Sequence, residues 1–456
     1  MKKFSAYYFL GIGGIGMSAL ARYYKAKGFP VAGYDRTKTA LTRKMEQEGI
    51  EIHYTEDISL IASSFQDPET TLVVFTPAIP AEHKEWLYFQ QKGFTIMKRA
   101  QVLGQITQSE RGLCIAGTHG KTTTSNMTAH LLHNSHIGCN AFLGGISKNF
   151  DTNLVLSDKT NLVVIEADEF DRSFHQLSPY MAVITAADAD HLDIYGDKKA
   201  ISESFEHFTS LIREGGCLIM KKGIDIAPRL REAVKLFTYS ATDGGDFHAE
   251  NIRVQNGEIL FDFVAPSAVI YNLQLGVPVM INVENAVAAL ALAWLNDATD
   301  DELRAGIASF KGTVRRFDFH VKNDRVVYLD DYAHHPAELK ASINSIKNLY
   351  PGKKVCGIFQ PHLYSRTRDF ASEFSSSLSL LDDLILLDIY PARELPIPGV
   401  TSEIIFNNVT IKDKTLCTKE QLMNELTKHQ FDVLVTIGAG DIDKLIPEIT
   451  AYCEKL

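Results

Sequence analysis

A chain of 456 residues is too long for one hydrophobic core and predicts roughly two to four domains. Hydrophobic residues at 45% and charged residues at 22% describe a soluble globular protein, and no apolar run reaches the roughly 18 residues of a membrane span. A net charge of −10 with no basic block speaks against nucleic acid. Six cysteines without a C-x-x-C pair argue against a disulfide framework or structural zinc and match reduced thiols in a cytosol.

The opening "MKKFSAYYFLGIGGIG" has two lysines before an apolar run, but the run breaks into glycines without a cleavage site. It reads as a first strand, Tyr7–Leu10. The turn that follows holds Gly11, Gly13, Gly14, Ile15 and Gly16 in G-x-G-x-x-G spacing, and a second strand, Val31–Asp35, ends on an acid. Such a turn at a helix N-terminus offers amides to a pyrophosphate, with the acid where a ribose ligand stands. A helix-capping or surface role for Asp35 competes equally. Leu72–Phe75 and Phe94–Lys98 are the next strands, and short runs alternating with helical patterns make the fold class α/β with mainly parallel sheets.

The first turn alone would suit an NAD-dependent dehydrogenase; a second turn points to ATP-type nucleotide chemistry instead. "LCIAGTHGKTTTSNM" places Gly117, Gly120, Lys121 and Thr122 between a strand, Leu113–Ala116, and a helix. Amides there cradle a polyphosphate, Lys121 reaches the outer phosphates and Thr122 is a ligand for Mg²⁺. Ile115 stands where the usual pattern has its first glycine, and a chance glycine turn is the bland alternative. Strands Leu162–Glu166 and Met181–Thr185 follow. They bring Glu166, Asp168 and, in "DADHLD", His191 to a sheet edge, where Glu166 and His191 can hold Mg²⁺ or Mn²⁺. As isolated features the two acids would read as solvated loop residues.

Between Gly216 and Met280, turn-rich sequence predicts added antiparallel structure. Val283–Leu295 reads as a buried helix. The alternation then resumes with strands at Val326–Asp330, Val355–Gln360, Leu384–Ile389 and Val433–Ile437, with boundaries near Gln108 and Phe317.

Together, "GTHGKTTT", "EADEFDRSF", "DADHLDIYG", "RRFDF", "DDYAHHPAEL" and "FQPHLYSRTRDF" resemble the Mur ligases, ATP-dependent amide-forming enzymes of peptidoglycan precursor synthesis. "GIGGIGMSALA" and "DDYAHHP" are most similar to the branch that adds L-alanine to UDP-N-acetylmuramate. The resemblance implies a Rossmann-like UDP-substrate domain (1–108), a central P-loop ATPase-type α/β domain (109–317) and a Rossmann-like amino-acid domain (318–456). It implies ATP and Mg²⁺ (or Mn²⁺) as cofactors, a cytoplasmic monomer or homodimer, and no nucleic-acid or membrane partner. The first glycine turn then serves UDP, with Asp35, Thr76, Ala78 and Arg99 beside it.

ATP falls to Gly117, Thr118, His119, Gly120, Lys121, Thr122 and Thr123, with Asn282 and Asn285 toward the adenine. Ile281 replaces the family's usual histidine, and Ala186 an asparagine. Arg316, ahead of Arg315, and Asp331 would serve the nucleotide, a pair of surface arginines being the alternative. His334 or His335 would act on the incoming amine. His362 and Arg366 would hold the amino-acid carboxylate, with Leu363 where the family commonly has another arginine and Arg368 a structural candidate. A recycling ligase that adds a preformed tripeptide is the nearest alternative. A P-loop kinase or NTPase would leave the second glycine turn and the C-terminal Arg/His motif without a role.

Overall fold

In the computed structural model, residues 4–188, 192–255, 257–392 and 394–456 are described. They form three sheets with helices between their strands. The first comprises β1 (Ala6–Leu10), β2 (Val31–Tyr34), β3 (Glu51–His53), β4 (Thr71–Phe75) and β5 (Thr95–Lys98) in the order β3-β2-β1-β4-β5, all parallel. Every residue of β1 is buried, which explains its continuous apolar run where a half-exposed strand would alternate. β1 lies between β2 and β4, so the chain leaves its end where strand order reverses, the crevice in which α/β sheets take ligands.

The second sheet comprises β6 (Arg111–Ala116), β7 (Asn140–Ser147), β8 (Thr152–Val155), β9 (Leu162–Glu166), β10 (Met181–Ile184), β11 (Cys217–Lys221), β12 (Lys235–Ser240), β13 (Phe247–Gln255), β14 (Glu258–Ala265) and β15 (Ala268–Gln274). Its order is β15-β14-β13-β12-β11-β10-β6-β9-β7-β8. β6 is flanked by β10 and β9, so its end is a second switch point. The antiparallel structure expected after Gly216 begins later than the turn residues imply, because β11, β12 and β13 continue the parallel run from β10. The short link from β14 to β15 is of a length that reverses the chain.

The third sheet comprises β16 (Asp318–Lys322), β17 (Val327–Asp331), β18 (Val355–Phe359), β19 (Asp383–Leu387), β20 (Lys414–Cys417) and β21 (Val433–Ile437), ordered β16-β17-β21-β18-β19-β20. Only β16 runs antiparallel to its neighbour.

The chain divides into two compact bodies, one of residues 1–250, 262–273 and 284–310, the other of residues 251–261, 274–283 and 311–456. Within the first body, helix Ile15–Ala26 ties the glycine turn to the second sheet. Asn153, at the start of β8, donates to the Ile15 carbonyl and to Ser18 Oγ, and the Tyr23 ring sits 5.2 Å from that of Phe142 on β7. Burying one such ring is worth about 1.5–3 kcal/mol. Among the described residues no helix is long and apolar enough to cross a membrane, and all six cysteines are free and buried.

Candidate active site

β6 delivers Gly117 to the C-terminal edge of the second sheet. Gly117 has φ +140° and Gly120 φ +84°, which side-chain-bearing residues rarely adopt. A Cβ on Gly117 would stand 2.1 Å from Thr185 Oγ1 and 2.8 Å from the Ala186 amide, so glycine lets the loop lie on the end of β10. Thr118 is buried there, its hydroxyl accepting from the Asp188 amide at 3.1 Å, and His119 Nε2 lies 3.7 Å from the Asp188 carboxylate. Helix Lys121–His133 starts at once, with Gly120 as N-cap and Thr123 in its first turn, so its amides and positive end face the loop. Asn285 braces this turn: it accepts from Thr124 Oγ1 at 3.3 Å, and its Oδ1 would meet a Cβ on Gly120 at 2.8 Å.

Lys121 Nζ donates to the Gly117 carbonyl at 2.6 Å and pairs with Glu169 Oε1 at 2.8 Å. Burial pulls its pKa down, but Glu169, Glu166 and Asp168 outweigh burial and hold it above the usual lysine range, so it is charged. Thr122 Oγ1 donates to Glu166 Oε1 at 3.1 Å. Gly144 on β7 makes room for that carboxylate, since a Cβ there would be 2.1 Å from Glu166 Oε2. These residues fit a Mg²⁺-bound triphosphate: a cradle that a side chain would fill, an ammonium for phosphate, and a hydroxyl beside a carboxylate, hard oxygen donors of the kind that ion takes. His191 lies outside the described residues.

The first glycine turn is held from within. The amides of Gly11 (φ +81°) and Ile12 donate to the Tyr34 carbonyl at 2.8 and 3.0 Å. Asp35 accepts from the Gly13 amide at 2.7 Å and from the Thr37 amide at 2.9 Å. Gly14 is the helix N-cap and Ile15 the first helical residue. A Cβ on Gly11 would be 2.5 Å from Thr76 Cγ2, and one on Gly16 2.4 Å from Arg99 Nη1. Thr76 and Arg99 therefore both press on the turn, while Ala78 sits exposed in the loop beyond β4.

A cavity of about 240 Å³ opens between Ile15, Gly16 and Arg99 on one side and Gly144, Glu166 and Asp168 on the other. Arg99 Nη2 stands 3.5 Å from Asp168 across it.

In the second body, Arg315 is committed to structure. It pairs with buried Asp330 at 3.1 Å and donates to the Gly438 carbonyl at 2.6 Å. The Arg316 guanidinium lies over the Tyr332 ring at 5.1 Å. Asp331 accepts from the Phe317 amide at 3.4 Å, and burial pushes its carboxyl up to about 6. His335 is the N-cap of helix Pro336–Leu349, with its Nδ1 accepting from Ala337 and its ring 5.0 Å from Phe370. His334 points elsewhere: its Nδ1 lies 3.4 Å from Glu338, and its ring is 6.2 Å from that of His362. Burial holds its pKa below the ordinary histidine value. His362 stacks on Tyr390 and its Nδ1 is 3.5 Å from Arg366 Nη1. Exposed Arg368 pairs with its neighbour Asp369 at 2.7 Å. Asn282 belongs to this body, donating to the Val277 carbonyl at 3.3 Å.

Comparison with known families covers most of the chain. Residues 6–111 match the Mur ligase family catalytic domain, 115–293 the Mur ligase middle domain, and 315–440 the Mur ligase glutamate ligase domain. The UDP-N-acetylmuramate–L-alanine ligase of Parabacteroides distasonis is 61% identical over 98% of this chain and 97% of its own. The chain belongs to the Mur ligase family. The enzyme of the same description from Porphyromonas gingivalis strain W83 is 55% identical over 98% of this chain and 99% of its own. The crystal structure of the UDP-N-acetylmuramate-alanine ligase from Thermotoga maritima superposes with a TM-score of 0.82 at 25% identity, covering 99% of this chain and 100% of that one. A murein peptide ligase from Psychrobacter arcticus, at 22% identity and TM-score 0.69 over 98% of each chain, shares the fold.

For a Mur ligase, the first body thus gathers Gly16, Arg99, Lys121, Thr122 and Glu166, and the second gathers His334, His362 and Arg366. Sequence reasoning missed Glu169 and Gly144. Glu169 was discoverable by asking which carboxylate in "EADEF" balances a lysine that the loop buries. Gly144 stands in "FLGGISKNF", which resembles a family segment toward the lactyl group, but its individual need comes from Glu166 on a neighbouring strand.

Proposed function

We infer that this Mur ligase joins L-alanine to the lactyl carboxylate of UDP-N-acetylmuramate in peptidoglycan precursor synthesis, in the cytoplasm, converting ATP to ADP and phosphate. The observation that supports the reading is the cavity between Gly16 and Arg99 on one side and Glu166 and Asp168 on the other, which sets the first glycine turn beside the carboxylate that Thr122 of the second turn's helix contacts. Relatives above 50% identity bear the alanine-ligase name.

In the proposed sequence, a lactyl oxygen attacks the γ-phosphorus, giving an acyl phosphate and ADP. The alanine nitrogen then attacks the carbonyl carbon and loses a proton, and phosphate leaves with the C–O electron pair. Lys121 and the helix amides bear on the transferring phosphoryl oxygens, stabilising charge where it accumulates. Thr122 and Glu166 would hold Mg²⁺, which when bound neutralises triphosphate charge. Mn²⁺ suits the same oxygen donors. Arg316 is the arginine left for phosphate once Arg315 is committed to Asp330. His334, neutral near pH 7, accepts the amine's proton, and Arg366 pairs with the amino-acid carboxylate.

Phosphate release from ATP with UDP-N-acetylmuramate, compared across L-alanine, glycine, L-serine and the cell-wall tripeptide, tests this. Stimulation by L-alanine is expected. Stimulation by the tripeptide alone would make it a recycling ligase, and release without any amine would leave an NTPase. Arg366→Ala is expected to raise the L-alanine KM roughly 10- to 100-fold, the size of a lost charge-assisted pair, with the ATP KM unchanged. Equal rises in both would remove Arg366 from the amino-acid site.

A further inference from the structure

We propose that Cys356, Asp383 and His429 form a binding site for a borderline-soft divalent metal of the Zn²⁺ class, on the edge of the third sheet opposite the ligation residues. Cys356 is the second residue of β18 and Asp383 the first of β19, and they are direct cross-strand partners in the parallel register. His429 comes from the segment that leads into β21, with its Nδ1 2.8 Å from Asp383 Oδ1. One ligand atom from each of the three residues lies within 4.8 Å of the other two. Asp331, His334 and His362 lie at or beyond the C-terminal ends of the strands. This cluster sits at their N-terminal ends.

Three features distinguish the cluster from an ordinary surface group of acids. The thiol is fully buried and the carboxylate 2% exposed, against an apolar neighbourhood that includes Leu434, Leu426 and Ile385. Sulfur, imidazole nitrogen and a single carboxylate make a donor set that favours Zn²⁺ or Co²⁺ over Mg²⁺. Outer partners also orient the ligands. Thr415 Oγ1 is 3.4 Å from His429 Nε2, and Lys354 Nζ is 3.2 Å from Asp383 Oδ2 and 3.5 Å from Asp413.

Binding would shift the imidazole proton to Nε2, where Thr415 accepts it. The metal would then take Nδ1, Asp383 Oδ1 and Cys356 Sγ, the thiol proton leaving to solvent. Lys354 keeps Oδ2. A fourth position is left for water. A surface pocket lined by Lys347, Tyr350, Gly352, Lys353, Lys354 and Asp382 shares Lys354 with the cluster and offers an approach.

The same three residue types also occur in cysteine nucleophiles, but that reading fails here. The thiol has no exposure to a substrate, and burial pushes its pKa well up. Linear spacing could not reveal the site, since each ligand is on a different element and none follows another at metal-motif distance.

The test is equilibrium dialysis of full-length, chelator-treated protein against Cd²⁺ and, separately, Zn²⁺, in excess Mg²⁺ to mask the nucleotide site. Near-ultraviolet absorption reports any thiolate–cadmium bond. Wild-type protein is expected to bind about one equivalent with that absorption. Cys356→Ser and His429→Gln are expected to bind roughly 10- to 100-fold more weakly and to lose the band, while keeping alanine-dependent phosphate release. His429 is partly exposed, so its substitution keeps the test open if the Cys356 variant misfolds. Absence of saturable binding, or equal binding and absorption in wild type and His429→Gln, would overturn the proposal.

Discussion

Gly11–Gly16 and Gly117–Gly120 each follow a buried parallel strand, and each opens a helix at a sheet's switch point. Their charges are arranged differently. At the first turn a carboxylate, Asp35, occupies the Gly13 amide from inside, and the cation, Arg99, arrives from a separate helix. At the second, the cation is part of the loop, and carboxylates Glu166 and Glu169 approach from the next strand and its following segment. A glycine turn at a helix N-terminus suits an anion in either case. On the proposed reading, the neighbouring side chains decide whether that anion is held or made to react. The first turn resembles a dehydrogenase fingerprint because the turn alone is common to both.

The largest test of this contrast is Lys121→Ala, expected to lower kcat by roughly 10³-fold or more, with a smaller change in substrate KM values. The substitution also removes the ammonium that stands 2.8 Å from the Glu169 carboxylate, a group only 1% exposed. A loss of about 3–5 kcal/mol of stability is therefore expected. Adding Glu169→Gln should restore the melting temperature without restoring turnover. Recovery of turnover in the double variant would mean that Lys121 only neutralises Glu169.

Next in size is Arg99→Ala, expected to raise the UDP-N-acetylmuramate KM roughly tenfold while leaving that of ATP alone, as loss of a charge-assisted contact should. A matching rise in the ATP KM would show that the two turns are not separate sites.

The second body supplies a pH test. On the proposed mechanism His334 acts as a base in its neutral form, and burial lowers its pKa below 6.5. Turnover should be full at pH 6.5 and above and fall only as pH drops through the lowered pKa beneath it. In His334→Gln the remaining activity should lack this acid limb. A limb retained unchanged would assign the titration to another group, Asp331 at about 6 being the nearest candidate.

How much of this was legible depends on how far apart the cooperating residues lie in the chain. Strands with long apolar runs, such as β9 and β21, appear where periodicity puts them. The short β3 and the glycine-containing β7 do not, because their stability comes from neighbours already in place. The phosphate loop is a local motif and was readable. Arg316 could be put ahead of Arg315 from sequence, but His334 and His335 could not be ranked: the structure commits Arg315 to Asp330, and His335 to its cap, a position that sequence statistics assign to Ser, Thr, Asp or Asn.

The smallest expected effect bears most directly on the comparison. Asp35→Asn keeps the shape but removes the charge and one of the two acceptors that hold Gly13 and Thr37. If Asp35 only holds the turn, stability should fall by about 1–2 kcal/mol, and the UDP-substrate KM should rise a few-fold through a looser loop. If Asp35 instead grips the ribose, the carboxylate's contribution appears in binding, and KM should rise by nearer a hundredfold with the melting temperature almost unchanged. Both quantities come from one variant, and they move in opposite proportion under the two roles. A large KM effect without a stability effect would return the first turn to the dinucleotide pattern it resembles. The reverse would mean that the same acid position has been turned inward to shape the site.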